Sequence, residues 1–354
     1  MNHLVKIQQL LPAYGIDAMM VSSTPGEFYS IGFRGEGILI VTEKVCRYYT
    51  DSRYMEAARK QVENCEIFVT AVAKNFLPMI RSAVTELGIT KMGIEDGYMT
   101  VQELRRYESA VDCALLPCQN LLASLRASKD KEEIQLMQQS QDITDRAFSQ
   151  ILEYLRPGMT EREIAARLQY NMLCLGANKI SFNPIVVTGR NGSLPHGIPG
   201  DTKIESGQFL TMDFGCIYKG YCSDMTRTIA IGEPSEEMRL VYQTVLQAQS
   251  AGIAASRAGV TGKSIDAAAR RVIDDAGYGE YFVHGYGHSL GIEGKELPLA
   301  NTMDETPMPV GAVVSAEPGI YLPGRFGVRI EDVIVMTENG CIDLTHSPKE
   351  LIIV

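Results

Sequence analysis

The sequence predicts two domains: a small α/β domain over residues 1–124, then an α+β domain over 125–354 built from two similar halves. Three observations point there. At 354 residues the chain exceeds what one hydrophobic core commonly organises. Helix-like and strand-like segments alternate up to about residue 120. Beyond it, the order helix, helix, hairpin occurs twice, over 130–232 and 233–340. A composition of 45% hydrophobic and 21% charged residues is that of an ordinary globular protein.

In the first domain residues 3–14 carry helical periodicity, and Asp17–Val21 reads as a strand after Gly15. Gly37–Thr42 and Val45–Thr50 read as strands, and 51–61 as a helix capped by Asp51. A strand at 66–72, a helix near 76–87, a strand at 92–95 and a helix near 100–109 complete the alternation. No group of His, Cys and acidic residues here suits chemistry, so its charges read as solvated surface. Residues 121–130 read as a hinge.

The second domain opens on a long helix with Asp130 and Glu133 as a capping box and Ile143, Ala147, Phe148, Ile151 and Leu155 as its apolar stripe. Pro157-Gly158 ends it. Thr160 and Glu163 form a second capping box for a helix reaching Gly176. A strand at 181–188 leads into the loop RNGSLPHGIPGD. A hairpin follows, Phe209–Phe214 against Tyr221–Ile231, with Tyr218-Lys219-Gly220 as turn. The second half repeats the order: a helix from Ser235 to about 256, another over 264–276, then strands 312–317 and 328–336 around Pro323-Gly324.

The hairpins carry the chemistry. Folding the first about Tyr218-Lys219 sets Asp213 opposite Asp224, and folding the second about Gly324 sets Glu317 opposite Glu331. Arg329, two residues from Glu331, shares its strand face. Facing carboxylates repel unless a cation lies between them, and four pointing into one core demand cations. His284 and His288 have the i, i+4 spacing of a helical zinc site, but Gly285, Gly287 and Gly291 argue for a loop or irregular strand, with at most one imidazole as ligand. Oxygen-rich ligation with one imidazole suits Mn²⁺ or Co²⁺, with Fe²⁺ and Zn²⁺ as alternatives. So many ligands suit two metals sharing carboxylates.

Together PHGIPGD (195–201), TMDFG, GYCSDMTRT, HGYGHSLG, SAEPGIY and GVRIED resemble the pita-bread metallopeptidases, in the branch of Xaa-Pro aminopeptidases and prolidases. DSRYMEAA and LRASKDKEEI extend the resemblance through a creatinase-type N-terminal domain and its junction. The resemblance implies a pita-bread catalytic domain with Asp213, Asp224, His288, Glu317 and Glu331 as ligands of two divalent ions, Mn²⁺ foremost. Asp224 and Glu331 would bridge, and Glu317 would also shuttle protons. It implies that His196 and His284 hydrogen-bond the substrate and the tetrahedral intermediate, and that Arg329 orients the acids. Thr226 is expected to support Asp224.

One position departs from the family. Lys295 stands where a substrate-contacting histidine is expected, and a lysine cannot serve as a neutral imidazole donor near pH 7. Either it pairs with a substrate carboxylate, favouring dipeptides, or activity on proline peptides is weakened or redirected. The implied function is removal of the residue before proline from a free N-terminus. A prolidase confined to Xaa-Pro dipeptides is the alternative, followed by a binding module with altered or lost activity. Creatinase-like amidinohydrolysis is disfavoured because all five ligand positions are filled.

The net charge of −10, from 33 basic and 43 acidic residues, disfavours nucleic acid or an anionic membrane as partner. The eight cysteines show no CxxC pair, and no export signal or membrane span is recognised, so reduced thiols and a cytoplasmic location are expected. The family resemblance implies a homodimer formed through the N-terminal domain. Cys222 reads as a small buried hydrophobe.

Overall fold

The computed structural model describes residues 3–73 and 75–354, which divide into compact units at Arg126/Ala127. The first unit contains α1 (Leu4–Leu10), β1 (Ala18–Val21), α2 (Thr24–Ile31), β2 (Ile38–Thr42), β3 (Cys46–Asp51), α3 (Met55–Gln61), β4 (Glu66–Thr70), α4 (Leu77–Glu86), β5 (Lys91–Ile94), α5 (Val101–Glu108) and β6 (Ala114–Pro117), with α6 (Gln119–Ala127) closing it. Its six strands form one sheet in the order β4-β3-β2-β1-β5-β6. Ile80, Val84, Met92 and Ile94 pack with Met20 and Ile40 in its core.

Several boundaries move for physical reasons. The 3–14 helix breaks at Pro12, where a 3₁₀ turn begins. Asp51 does not cap α3: it ends β3 paired with Thr70, and its carboxylate accepts bonds from the Arg53 backbone and guanidinium. Helix α2, which the periodicity does not reveal, starts from a Ser23 cap. Buried Glu95 accepts the amides of Ser22 and Ser23 at 2.7 and 2.8 Å and fixes that start. The expected hinge is helical to Ala127, leaving only residues 128–130 before the next helix.

The second unit opens with α7 (Lys131–Tyr154) and α8 (Glu161–Cys174), both begun by the expected capping boxes. β7 (Lys179–Ile180) and β8 (Ile185–Thr188) replace one predicted strand, split where Pro184 denies an amide to the ladder. β9 (Gln208–Phe214), β10 (Cys216–Tyr218), β11 (Tyr221–Cys222) and β12 (Met225–Ile231) form the first hairpin. The α7 stripe packs against Ile164, Leu168, Leu210, Met212 and Ile229.

The hairpin register differs from expectation. Asp213 pairs with Thr226, not Asp224. The turn is centred one residue later, on Lys219-Gly220, whose φ values of 47° and 92° are the left-handed pair a type I′ turn requires. Moving the centre by one residue moves the partner by two, so Asp224 stays on the same face. Between β9 and β10 the chain passes Gly215, where a Cβ would lie 2.0 Å from the Ser223 carbonyl oxygen.

The second half contains α9 (Glu236–Ala255), α10 (Gly262–Asp275), β13 (Gly287–Ser289), β14 (Glu296–Ala300), β15 (Val313–Ala316), β16 (Gly319–Leu322), β17 (Phe326–Arg329), β18 (Asp332–Met336) and β19 (Cys341–Asp343). Strands run β14-β13-β15-β18-β19, with β16 and β17 as a separate pair. The pairs Ala316–Asp332 and Gly319–Arg329 keep one register about Gly324, so Glu317 and Glu331 face each other in the gap between them. There Glu317 N–H donates to Tyr286 O and Glu331 N–H to Thr226 O, which ties the acids to neighbouring elements.

Behind the two hairpins lies Arg227, fully buried. It donates to the carbonyls of Thr226, Glu331, Ser347 and Pro348 and pairs with Asp332 at 2.7 Å. Gln249 of α9 and Lys349 complete the Asp332 shell. One guanidinium therefore joins both hairpins and the C-terminal segment.

Candidate active site

Asp213 is the penultimate residue of β9, Asp224 precedes β12, and Glu331 lies between β17 and β18. One oxygen from each falls within 4.8 Å of the others, and all three residues are buried. Burial, the first cause in each case, pushes all three carboxyls up. Asp224 and Glu331 rise well above the usual range because neighbouring acids add to the effect, while Arg329 opposes it at Asp213. Asp213 Oδ1 and Asp224 Oδ1 are buried and have no hydrogen-bond partner among the described residues. Buried polar atoms rarely lack partners, so two orphaned oxygens facing a third acid fit a bound cation.

His288 stands on β13, not on a helix. Its Nδ1 lies 3.2 Å from the Ser289 carbonyl, which can only accept, so in the neutral ring Nδ1 carries the proton and Nε2 is the nitrogen open to a cation. That Nε2 is 3.3 Å from Glu317 Oε1. Ser315 holds both residues, accepting from His288 N–H at 3.0 Å and donating to Glu317 Oε1 at 2.9 Å. The five expected ligands thus come from five places in the chain onto one cavity wall, together with Arg329.

The cations behind the acids are fixed in turn. Arg329 donates to Asp213 Oδ2 at 2.6 Å, Thr226 Oγ1 at 3.1 Å and Tyr321 Oη at 2.8 Å. Thr226 donates to Glu331 at 2.7 Å, so it supports Glu331 and not Asp224 as expected. Asp224 instead takes its backbone support from Gln141 of α7, at 3.4 Å.

His284 is half-buried, and its loss of solvent lowers its pKa and favours the neutral ring. Its Nδ1 donates to Gly285 O at 2.8 Å, so Nε2 accepts from Tyr321 Oη, also at 2.8 Å. Both nitrogens are engaged, and a substrate reaches this ring only by exchanging one of those partners. The i, i+4 pair Asp266–Arg270 on α10 frames the segment: Arg270 donates to the carbonyls of Phe282 and His284, and Asp266 accepts Tyr286 N–H.

The cavity, about 890 Å³, is lined by the five expected ligands, His284 and Arg329, and by His196, Ile198, Arg162 and Lys295. His196 is exposed on a loop that Glu161 organises from the start of α8, accepting Thr188 N–H and Gly200 N–H at 2.9 Å each. Lys295 is also exposed and, among the described residues, has no ion pair. Its neighbour Glu296 is buried, paired with Lys129 at 3.0 Å and accepting Glu293 N–H at 3.1 Å, so the loop is anchored while the Lys295 ammonium is not.

Sequence reasoning missed Tyr321, Gln141, Ser315, Asp266, Arg270 and Glu161. Tyr321 lies inside the motif SAEPGIY and Ser315 opens it, which is the only local signal for either.

Residues 135–338 match the model of metallopeptidase family M24, and residues 4–128 that of the creatinase/prolidase N-terminal domain. The chain belongs to metallopeptidase family M24. It is 35% identical to the Xaa-Pro dipeptidase of Pyrococcus horikoshii, with 99% of each chain covered. The solved Xaa-Pro dipeptidase from Bacillus anthracis superposes with a TM-score of 0.96 at 39% identity over 99% of both chains. The X-Pro aminopeptidase from Thermotoga maritima does so at 0.93 and 36%, over 100% of both chains. This M24 chain is therefore a metallopeptidase whose fold joins a creatinase N-terminal domain to a pita-bread catalytic domain. Among the described residues, no helix is long and apolar enough to cross a membrane.

Proposed function

We propose that the chain is a two-metal Xaa-Pro dipeptidase, hydrolysing the bond before proline. Asp213, Asp224, His288, Glu317 and Glu331 would hold the ions, with Asp224 and Glu331 bridging and Mn²⁺ the first candidate. The observation that carries this reading is the buried Asp213–Asp224–Glu331 cluster with its two orphaned oxygens. The dipeptidases of P. horikoshii and B. anthracis put this reading ahead of the aminopeptidase expected first, which the T. maritima enzyme keeps as the second. An unpaired Lys295 ammonium on the cavity wall supports the same order, because a dipeptide's carboxylate lies one residue past the scissile bond.

Bound there, the ions would supply Lewis acidity and a nucleophilic water near neutral pH. Glu317, its Oε1 fixed by Ser315, is positioned to carry a proton from attacking water to the leaving amine. Arg329 opposes the upward push of burial on Asp213 and orients its carboxylate. Neutral His284 and exposed His196 offer hydrogen bonds to the peptide, and Lys295 a charge to its carboxylate.

The test is turnover of Xaa-Pro dipeptides against Xaa-Pro-Xaa tripeptides by Mn²⁺-loaded protein, repeated with Lys295→His. Preference for dipeptides, reduced in the variant, is expected. Faster tripeptide turnover would establish the aminopeptidase reading instead, and no hydrolysis despite bound metal would remove both.

A further inference from the structure

The N-terminal sheet carries two thiols that the site chemistry does not use. β4 is an edge strand paired parallel to β3, with Arg47 opposite Glu66 and Tyr48 opposite Ile67. Extending that register by one residue sets Cys46 opposite Cys65. Residues opposed in a parallel pair point to the same face, about 4.8 Å apart between backbones. A disulfide needs Cα atoms roughly 4.4–6.8 Å apart. Both thiols are free, and the neighbouring Cys65 thiol is the first cause that pushes the Cys46 thiol up. Cys46 is buried, whereas Cys65 is partly exposed in the bend that follows Asn64, whose φ is +57°.

We propose that Cys46 and Cys65 form a redox-modification site, a dithiol that peroxide closes to an intramolecular disulfide at the sheet edge. The roles follow from exposure. The adjacent thiol and burial push the Cys46 thiol up, and Cys65 is the more exposed of the two, so Cys65 meets the oxidant first. The Cys65 thiolate attacks one peroxide oxygen and breaks the O–O bond. It becomes a sulfenic acid, and the departing hydroxide takes a proton and leaves as water. Cys46 sulfur then displaces the sulfenic oxygen, which leaves with the Cys46 proton as a second water. Two thiols lose two electrons and one peroxide gains them. Opposed strand positions hold their Cβ atoms farther apart than a relaxed bridge prefers, so the bond is of the readily reduced kind.

Folded protein carrying Cys174→Ser, which removes the one fully exposed competing thiol, is treated with hydrogen peroxide and alkylated. It is then digested without reductant and mapped by mass spectrometry. The expected result is a loss of two titratable thiols, a peptide pair joined through Cys46 and Cys65, and full recovery with dithiothreitol. In a further Cys46→Ser background, Cys65 should proceed to sulfinic acid. The proposal is overturned if all thiols survive, if another pair is bridged, or if Cys65 reaches sulfinic acid while Cys46 is present and free.

Discussion

Asp224 and Glu331 are buried carboxylates whose proton affinity is raised by burial and by the neighbouring acids. Their folded pKa values lie above the ordinary ones, so without metal they favour the fold fully only below about pH 4, the unfolded range. That contribution is lost as pH rises through the raised values. Metal-free protein should therefore lose stability as pH climbs through that window, and bound metal should reverse the trend; urea midpoints across pH with and without Mn²⁺ check both signs. The Thr226 hydroxyl, which donates to Glu331, makes a sharper point. Thr226→Val leaves a buried acceptor without its donor, a cost of about 1–3 kcal/mol. It should also weaken metal binding by roughly 10–100-fold. Unchanged affinity by calorimetric titration would show that Thr226 plays no part in orienting the acid.

Among the elements, the second hairpin was legible because Gly324 sits at its true turn, which left Glu317 and Glu331 at matching positions. The first was legible only to within one residue. Tyr218, Lys219 and Gly220 all suit a turn, and only the left-handed pair at Lys219-Gly220 decides the centre. Period-two alternation protected the inference, since Asp224 kept its face. Tyr321, Gln141 and Arg270 were illegible for a different reason: each acts on a partner brought near by folding. Gln141 meets Asp224 across 83 positions. The same holds for Lys129, at the entry to α7, whose ammonium neutralises Glu296 beside Lys295. Lys129→Met leaves that carboxylate buried without its cation and should cost about 3–5 kcal/mol. Lys129→Met combined with Glu296→Met should recover most of it, as denaturant titration of the two variants would show.

For the whole molecule, the family's metals link chemistry to stability. Arg227 joins both acid-bearing hairpins to the C-terminal segment, so cation binding at one end of those hairpins reports on the unit of residues 127–354. A site filled at a hundredfold excess over its Kd adds about 2.7 kcal/mol. For a unit of this size that raises the melting midpoint by about 5–10 °C, which scanning calorimetry with and without chelator would register. The creatinase N-terminal domain and the pita-bread fold were readable from ordered motifs, whereas the proposed preference for dipeptides rests on the relatives and on one side chain, Lys295.

The central claim is that the buried acids are a cation site. Calorimetric titration of metal-stripped protein with Mn²⁺, run in buffers of different ionisation enthalpy, measures ions bound and protons released together. Two ions per chain with net proton release are predicted, and Asp224→Asn should lose both signals. Binding in Asp224→Asn equal to the wild type, or uptake without proton release, would contradict the account.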